Sequence, residues 1–188
     1  MPDRRAGQGA ETPGPARPDS GRFAMTVLAA QRGDAIAMHE LLDEITPYVR
    51  RLCGPIALHD AADATQETLM VVLRRLNTLR EPAALFGWVR MISIREAVRV
   101  ARSASRAMPA DLPDLPAADD VELATDITDV LQRLAPEQRA VLVLRDIEGF
   151  SEERAAELLR IPTGTVRSRL FRARSNFRKA WLTERTTS

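Results

Sequence analysis

Apolar residues recur along most of this chain at the three- and four-residue spacing of amphipathic helices, and no stretch alternates like a half-buried strand. In the first half, the pattern predicts three helices, at about 34–53, 60–77 and 82–102. Gly33-Asp34 and His59-Asp60 supply the start signals of the first two, and Pro82 suits the first turn of the third. The first half is therefore predicted to be helical throughout.

The second half is predicted to hold four more helices, at about 126–134, 136–148, 151–160 and 163–181. Only Ile161-Pro162 separates the last two. Helices joined so closely cannot run antiparallel, so they must cross steeply, which is the geometry of a helix-turn-helix. Such a motif places its second helix in the major groove of double-stranded DNA.

Two segments lack the helical periodicity. Residues 1–22 are rich in Pro, Gly, Ala and Arg and cannot bury enough apolar surface to fold, so we predict a disordered tail, with a regulatory pro-segment as the alternative. Residues 107–122 hold three prolines and five acidic residues and predict a flexible acidic linker. The chain is thus predicted to be all-α, with two small helical domains at 23–106 and 123–185.

The last predicted helix separates its apolar and polar residues onto opposite faces. At about 100° per residue, one stripe contains five apolar side chains: Val166, Leu170, Ala173, Phe177 and Trp181. The opposite face carries Arg167, Ser168, Phe171 and Arg172, and residues 162–181 include six basic residues and no acid. An exposed aromatic ring beside Arg and Ser suits contact with base edges. The alternative is a solvated basic face on which Phe171 packs against a neighbouring element.

Three runs of this half, 131–139, 142–151 and 161–174, together resemble region 4 of the bacterial extracytoplasmic-function (ECF) sigma factors of RNA polymerase. The resemblance implies that the last helix reads the promoter −35 element and that the domain contacts the polymerase β flap. The base-contacting positions of the family match Arg167, Ser168, Phe171 and Arg172. We add three neighbours on the same helix to the predicted −35 surface: Thr165, Arg169 and Arg174.

The helix before it departs from the family at three positions. Arg154 stands where an acidic residue is usual, Ala155 where a large apolar residue is common, and Arg160 where glycine is common. Arg154 also removes the acidic partner of a capping box that would begin at Ser151. None of these positions lies on the predicted reading face.

The helix predicted at 60–77 has a buried stripe, made of Thr65, Leu69, Val72 and Leu76, and an acidic face on its other side. From the residues alone, this face is either a solvated helix start or a docking surface for a basic, partly apolar partner. The stretch 60–70 resembles region 2.2 of the ECF sigma factors, which binds the coiled coil of the polymerase β′ subunit. The resemblance implies that five residues bind core polymerase: Asp60, Asp63, Gln66, Glu67 and Met70.

The helix predicted at 82–102 resembles regions 2.3 and 2.4, which open the promoter and hold its −10 element. Trp88 and Ile92 are expected in the core. Arg95, Arg99 and Arg102 share one face because they are spaced four and three residues apart. We predict that they contact DNA phosphates near −10, and the alternative is a solvated basic face. The loop at 79–84 departs from the family pattern, so no base preference at −10 is predicted.

Composition restricts the other possibilities. The net charge is only +1, so nucleic-acid binding rests on how the charge is distributed. The single cysteine, Cys53, excludes an internal disulfide and a cysteine-rich zinc site, and no apolar run is long enough to span a bilayer. His39 and His59 fit no catalytic or metal-ligand spacing, so no enzyme activity, metal or cofactor is expected. The protein is expected to be soluble and cytoplasmic.

The sequence therefore predicts a sigma factor that binds core RNA polymerase and promoter DNA and directs specific initiation, while the polymerase performs the chemistry. An anti-sigma protein is expected as a partner from the resemblance alone. The alternative is a helix-turn-helix regulator that binds DNA without joining polymerase. A regulator of that kind often carries a receiver domain of alternating strands and helices, and the pattern of the first half shows none.

Overall fold

The computed structural model of the chain describes residues 20–107 and 122–187, with side chains described over 23–106 and 127–182. Within these ranges every regular element is helical, which confirms the predicted all-α fold. In chain order the α-helices are α1 (Ser20–Gln31), α2 (Ala35–Ala57), α3 (Ala61–Arg75), α4 (Leu85–Ala107), α5 (Glu122–Gln132), α6 (Pro136–Leu142), α7 (Glu152–Leu159) and α8 (Thr163–Thr187).

Shorter helical turns connect some of these elements. Three 3₁₀ turns lie at Leu58–Asp60, Leu76–Thr78 and Pro82–Ala84, and a π turn at Val143–Ile147 continues α6. The predicted linker, between α4 and α5, lies outside the described residues. So does most of the predicted tail, since α1 begins at Ser20.

The start of α2 follows its sequence signal. Gly33 has a positive φ of 92°, which turns the chain after α1, and the Asp34 carboxylate accepts hydrogen bonds from the backbone N–H groups of Ile36 (2.9 Å) and Ala37 (3.1 Å). The helix then continues through Pro47 and Pro55 and ends four residues beyond the predicted end at Cys53. Burial of its apolar face in the bundle offsets the hydrogen bonds that the two prolines cannot donate.

Helices α1 to α4 enclose the first part of the core. Its largest fully buried side chains here are Leu41, Ile45, Leu52, Ile56, Leu76, Leu85 and Ile94. Phe86 of α4 contacts two other helices. Its ring stacks on that of Phe23 of α1, with 5.2 Å between centroids, and meets the ring of Tyr48 of α2 edge-on, with 5.5 Å between centroids. Ile92 is buried as expected, whereas Trp88 is only half-buried at the edge of this core.

Helices α7 and α8 form the helix-turn-helix. Ser151 caps α7, since its Oγ accepts from the backbone N–H of Arg154 at 3.1 Å, so half of the capping box survives without an acidic partner. Arg160 ends α7 in the left-handed conformation, with φ 53° and ψ 48°. A residue with a Cβ adopts this conformation at a cost of roughly 1 kcal/mol, which explains why glycine suits this position.

The two halves of the chain pack directly on each other. Helix α6 lies against α2 and α4, and α7 lies against α4, so one core cluster contains residues of both halves. The guanidinium of Arg139, a residue only 6% exposed, links them by donating to the carbonyl oxygens of Ile56 (2.7 Å) and Leu134 (2.8 Å). This contact between halves is not visible in the sequence pattern.

A second link between the halves is an ion pair on a carboxylate that is 7% exposed. Glu148, at the end of the π turn, lies 2.8 Å from the guanidinium of Arg51 on α2 and 3.6 Å from that of Arg90 on α4. Arg90 also stacks over the ring of Phe150, 4.5 Å from its centroid. The described chain is therefore a closed arrangement of its two helical halves.

Candidate nucleic-acid interface

The predicted reading face of α8 is open. Arg167, Phe171 and Arg172 are exposed, and Phe171 exposes 77% of its surface, while Val166, Leu170 and Ala173 are buried on the other side. Ser168 is half-buried, and its Oγ donates to the Thr165 carbonyl at 3.1 Å. The N-terminal half of α8 thus presents a flat group of Arg, Ser and Phe side chains, as the helical wheel predicts.

Acidic residues hold two of the α8 arginines in place. Arg167 donates to Glu152 at 2.5 Å, and Arg174 makes two hydrogen bonds, of 2.5 and 3.2 Å, to Asp146. These hydrogen bonds to carboxylates raise the pKa of both guanidinium groups, so both stay charged. The pairs are exposed, so a phosphate can replace the carboxylate at little cost. Arg169 differs, because it is half-buried and lines a cleft between the two halves of the chain, which α4, the turn after α7 and the side of α8 enclose.

The acidic face of α3 is also on the surface. Asp63 and Gln66 are exposed, Glu67 and Asp60 are half-buried, and Met70 is 40% exposed. Thr65, Val72 and the following Leu76 are buried beneath, and Leu69 is half-buried. The structure therefore brings the five predicted docking residues together on one side of the helix and its preceding turn.

One residue of this face is missing from the sequence prediction. Leu73 is 49% exposed and lies three residues after Met70, so the two apolar side chains are neighbours on α3. The available signal was the spacing itself, since Asp63, Gln66, Met70 and Leu73 follow each other by three or four residues. Acidic and apolar side chains are thus mixed on a single surface.

The α4 arginines are not on a free face. Arg95 donates to the Leu158 carbonyl of α7 at 3.2 Å, and its pKa is lowered by burial and by the nearby charge of Arg160. Arg99 donates to Glu96 (2.6 Å) and Glu67 (2.9 Å). Arg102 pairs with Glu137 of α6. All three point toward the second half of the chain or toward α3.

Comparisons with known proteins agree with this arrangement of helices. The family described as "Sigma-70, region 4" matches residues 124–176, which include α6, α7 and most of the reading helix. The chain is 35% identical over 149 residues to the ECF RNA polymerase sigma factor SigM of Mycobacterium tuberculosis, covering 76% of each protein. The chain belongs to the ECF RNA polymerase sigma factors.

Other relatives of this sigma factor are similarly distant. The ECF sigma factor SigE of Mycolicibacterium smegmatis is 36% identical over 163 residues, which are 78% of this chain and 63% of that protein. The sigma-H factor of Pseudomonas aeruginosa is 30% identical over 174 residues, covering 80% of this chain and 89% of that protein.

Two solved structures share the fold. One is CnrH in complex with the cytosolic domain of CnrY, with a TM-score of 0.57 and 22% identity over 86% of this chain and 96% of that one. The other is the sigma factor RpoE with the anti-sigma factor NepR from Bartonella quintana, with a TM-score of 0.52 and 23% identity, covering 76% and 94% of the two chains.

The region 4 half of this sigma factor also contains an apolar groove that the sequence did not reveal. Its volume is about 540 Å³, and it lies between α5, the turn after α6 and the end of α8. Ile127 and Ile147 are exposed at the groove, and Trp181 stacks with Phe177 at 6.3 Å at one end. The predicted core stripe of α8 is therefore buried only as far as Ala173, while Phe177 and Trp181 are half-buried groove walls.

Other kinds of site are not found among the described side chains. They contain no cluster of His, Cys, Asp and Glu that could hold a metal ion. Over 20–107 and 122–187, no helix combines the length and the apolar character that crossing a bilayer requires.

Proposed function

We propose that this sigma factor reads the −35 element with α8, docks on the polymerase β′ coiled coil with α3, and contacts DNA near −10 through α4. The exposure of Phe171 among Arg167, Ser168 and Arg172 is the observation that carries the proposal. A phenylalanine that is 77% exposed contributes little to folding, and its place between arginines on the polar face suits contact with a thymine methyl group. In this proposal the chain has no catalytic role, and the polymerase performs the chemistry in the cytoplasm.

At −35, the side chains of α8 divide into two roles. Arg167 and Arg172 can donate two hydrogen bonds to the O6 and N7 atoms of a guanine, and Phe171 suits the methyl group of a thymine. Thr165, Arg169 and Arg174 lie farther from the centre of this face and suit phosphate oxygens, which fix position and not sequence. Arg167 and Arg174 exchange their carboxylate partners for DNA on binding.

At the polymerase, α3 offers carboxylates beside two apolar side chains. Asp63 and Glu67 suit basic residues of a coiled coil, and Met70 with Leu73 suits its apolar positions. Glu67 is paired with Arg99 in the closed arrangement, at 2.9 Å. Docking therefore competes with an internal ion pair and releases an α4 arginine for DNA.

We propose that the apolar groove of region 4 binds the polymerase β flap. Its walls include Ile127, Leu131, Leu142 and Ile147, and the wide apolar opening suits the apolar side of an inserted helix. Arg178 at the rim adds a positive charge. The structural neighbour RpoE is bound to the anti-sigma factor NepR, and we propose that an anti-sigma factor also binds this chain.

The proposal is tested with purified protein, core polymerase and genomic DNA fragments, by measuring association with core and mapping the start points of transcripts. We expect specific starts with a −35 and a −10 element upstream. The double variant Asp63→Ala/Glu67→Ala should lose core binding while the −35 contacts of region 4 remain.

The matched control is Glu40→Ala/Glu44→Ala, because these two acids are exposed on α2 with the same four-residue spacing. It should behave as the unchanged protein. DNA binding without any association with core polymerase would instead assign the chain to regulators that act apart from polymerase.

A further inference from the structure

An open basic cleft lies between the two halves, distinct from the reading face of α8. Its volume is about 620 Å³, and α4 forms one wall while the turn after α7 and the side of α8 form the other. Six arginines line it: Arg95, Arg99, Arg102, Arg106, Arg160 and Arg169. Glu137 is the one acidic residue among the lining side chains that the structure describes, and it forms an ion pair with Arg102.

Among the described residues, the acids paired with Arg99 and Arg102 compensate only part of the positive charge of the cleft. Arg106, Arg160 and Arg169 make no ion pair with any side chain in the described ranges, and Arg95 is held only by a carbonyl oxygen. Burial, and to a lesser extent the charge of Arg160, lower the pKa of Arg95. Like charges held together without counter-charges favour the binding of an anion.

The backbone of Arg160 adds to this argument. It holds the left-handed conformation that ends α7, where glycine would be relaxed. The strained residue carries its guanidinium into the cleft and makes no ion pair with the described acids. Strained residues of this kind cluster at binding sites, which favours a binding role for Arg160.

Apolar side chains also line the cleft. They include Val98 of α4, Leu159 at the end of α7 and Ile161 in the following turn. The size falls within the range of small-molecule sites, about 300–1,000 Å³, which includes nucleotides. A cleft lined by both apolar side chains and arginines fits a ligand that has a planar ring and several phosphates.

We propose that this cleft binds a nucleoside polyphosphate, with the base on Val98, Leu159 and Ile161 and the phosphates on the arginines of both halves. Arginine suits phosphate because its planar group donates two parallel hydrogen bonds. A ligand held by α4 and by the α7–α8 turn bridges the two halves and stabilises the closed arrangement. It also occupies the arginines proposed for −10 DNA, so ligand and promoter compete.

The test is calorimetric titration of the purified full chain, without polymerase, with GTP, ATP, inorganic tripolyphosphate and a single-stranded oligonucleotide at physiological salt. We expect one GTP or ATP per chain and at least tenfold weaker binding of tripolyphosphate. Arg160→Gly and Arg106→Gln should each weaken nucleotide binding by about tenfold, since each removes a charged hydrogen-bond donor. Arg50→Gln, an exposed arginine on α2, should change nothing.

Arg160→Gly separates binding from folding, because glycine relaxes the left-handed position, so its melting temperature should be equal or higher. If tripolyphosphate and GTP bound with equal affinity, the base would contribute nothing to binding, and its proposed position on the apolar side chains would be wrong. Tighter binding of the oligonucleotide, lost in the same variants, would assign the cleft to nucleic acid instead. The proposal would be overturned if no nucleotide bound, or if neither cleft variant changed the affinity. Because the titration contains no polymerase, such a result would not affect the proposed sigma-factor function.

Discussion

Phe171 exposes its ring on the polar side of α8, where it supports no core contact. We predict that Phe171→Ser leaves the melting temperature unchanged and weakens binding to a −35 duplex by about tenfold, with the loss largest at a thymine position, because the contact with a methyl group disappears. Fluorescence anisotropy with labelled duplexes measures this. Ile36→Ser, an equally exposed apolar residue on α2, is the control. A lowered melting temperature for Phe171→Ser would show that the ring serves folding.

Arg172 and Arg174 lie two residues apart and are predicted to differ in role. Arg172→Ala should cost about 1–3 kcal/mol at one −35 position and relax the base preference there. Arg174→Ala should weaken all sequences alike and lower the slope of log K against log salt by about 1, because it loses one phosphate contact. Binding measured on a set of single-base variants at several salt concentrations distinguishes the two. Identical patterns for both variants would contradict the assigned face.

Cys53 is fully buried, and burial raises the pKa of its thiol to about 11. Because the thiolate is the reactive form, we predict that iodoacetamide labels Cys53 in the folded protein only very slowly at pH 8 and labels it readily in denaturant. A raised pKa also means that the folded state binds this proton more tightly. Its contribution to stability is therefore complete below about pH 9 and is lost as the pH rises through about 11. Rapid labelling without unfolding would show that the site opens.

At the scale of the helices, Arg139 joins three segments. Besides Ile56 at the end of α2, its guanidinium donates to the carbonyls of Leu131 (3.2 Å) and Leu134 (2.8 Å) near the end of α5. We predict that Arg139→Ala lowers the free energy of unfolding by roughly 3 kcal/mol, because buried carbonyl oxygens lose charged donors. Urea denaturation measures this, with the exposed Arg50→Ala as the control, which should change it by less than about 0.5 kcal/mol.

The helices themselves were largely predictable, because their signals are local. The cap at Asp34 marks the start of α2, and the α8 wheel separates Val166 and Leu170 from the reading face. Pro82 begins a 3₁₀ turn, and α4 itself starts three residues later, at Leu85. The end of α2 was not predictable, because proline lowers helix stability locally while the surrounding core decides whether the helix continues. Leu73 and the apolar groove were missed for a similar reason, since exposure depends on neighbouring helices.

For the whole molecule, the contact between halves could not be derived from periodicity. An apolar stripe shows that Ala140 or Leu158 is buried but not which helix covers it. Arg95, Arg99 and Arg102 illustrate the consequence: their common face was predicted correctly, but the structure turns it toward α3, α6 and α7. The reading face around Phe171 is exposed in the closed arrangement, whereas the three predicted −10 arginines contact α3, α6 and α7.

We predict that the halves separate when polymerase and promoter bind. The −35 and −10 elements are roughly 20 base pairs apart, which at about 3.4 Å per base pair is roughly 70 Å of duplex. Two helical halves in direct contact cannot reach both, because a compact chain of this length has a radius of gyration of only about 16 Å. Opening must break the Glu148 ion pairs with Arg51 and Arg90, and the linker between α4 and α5 then spans the gap.

We predict that dyes attached through Glu44→Cys on α2 and Asn176→Cys on α8 show high energy transfer in the free protein and low transfer after core polymerase is added. Cys53 can stay in place, because its burial and raised pKa keep it from being labelled. Glu148→Gln should lower the transfer of the free protein, since Arg90 then loses its buried counter-charge. Glu81→Gln, an exposed acid in the α3–α4 loop, should leave it unchanged. If energy transfer stays high in a polymerase complex that initiates transcription, the closed arrangement itself binds the promoter.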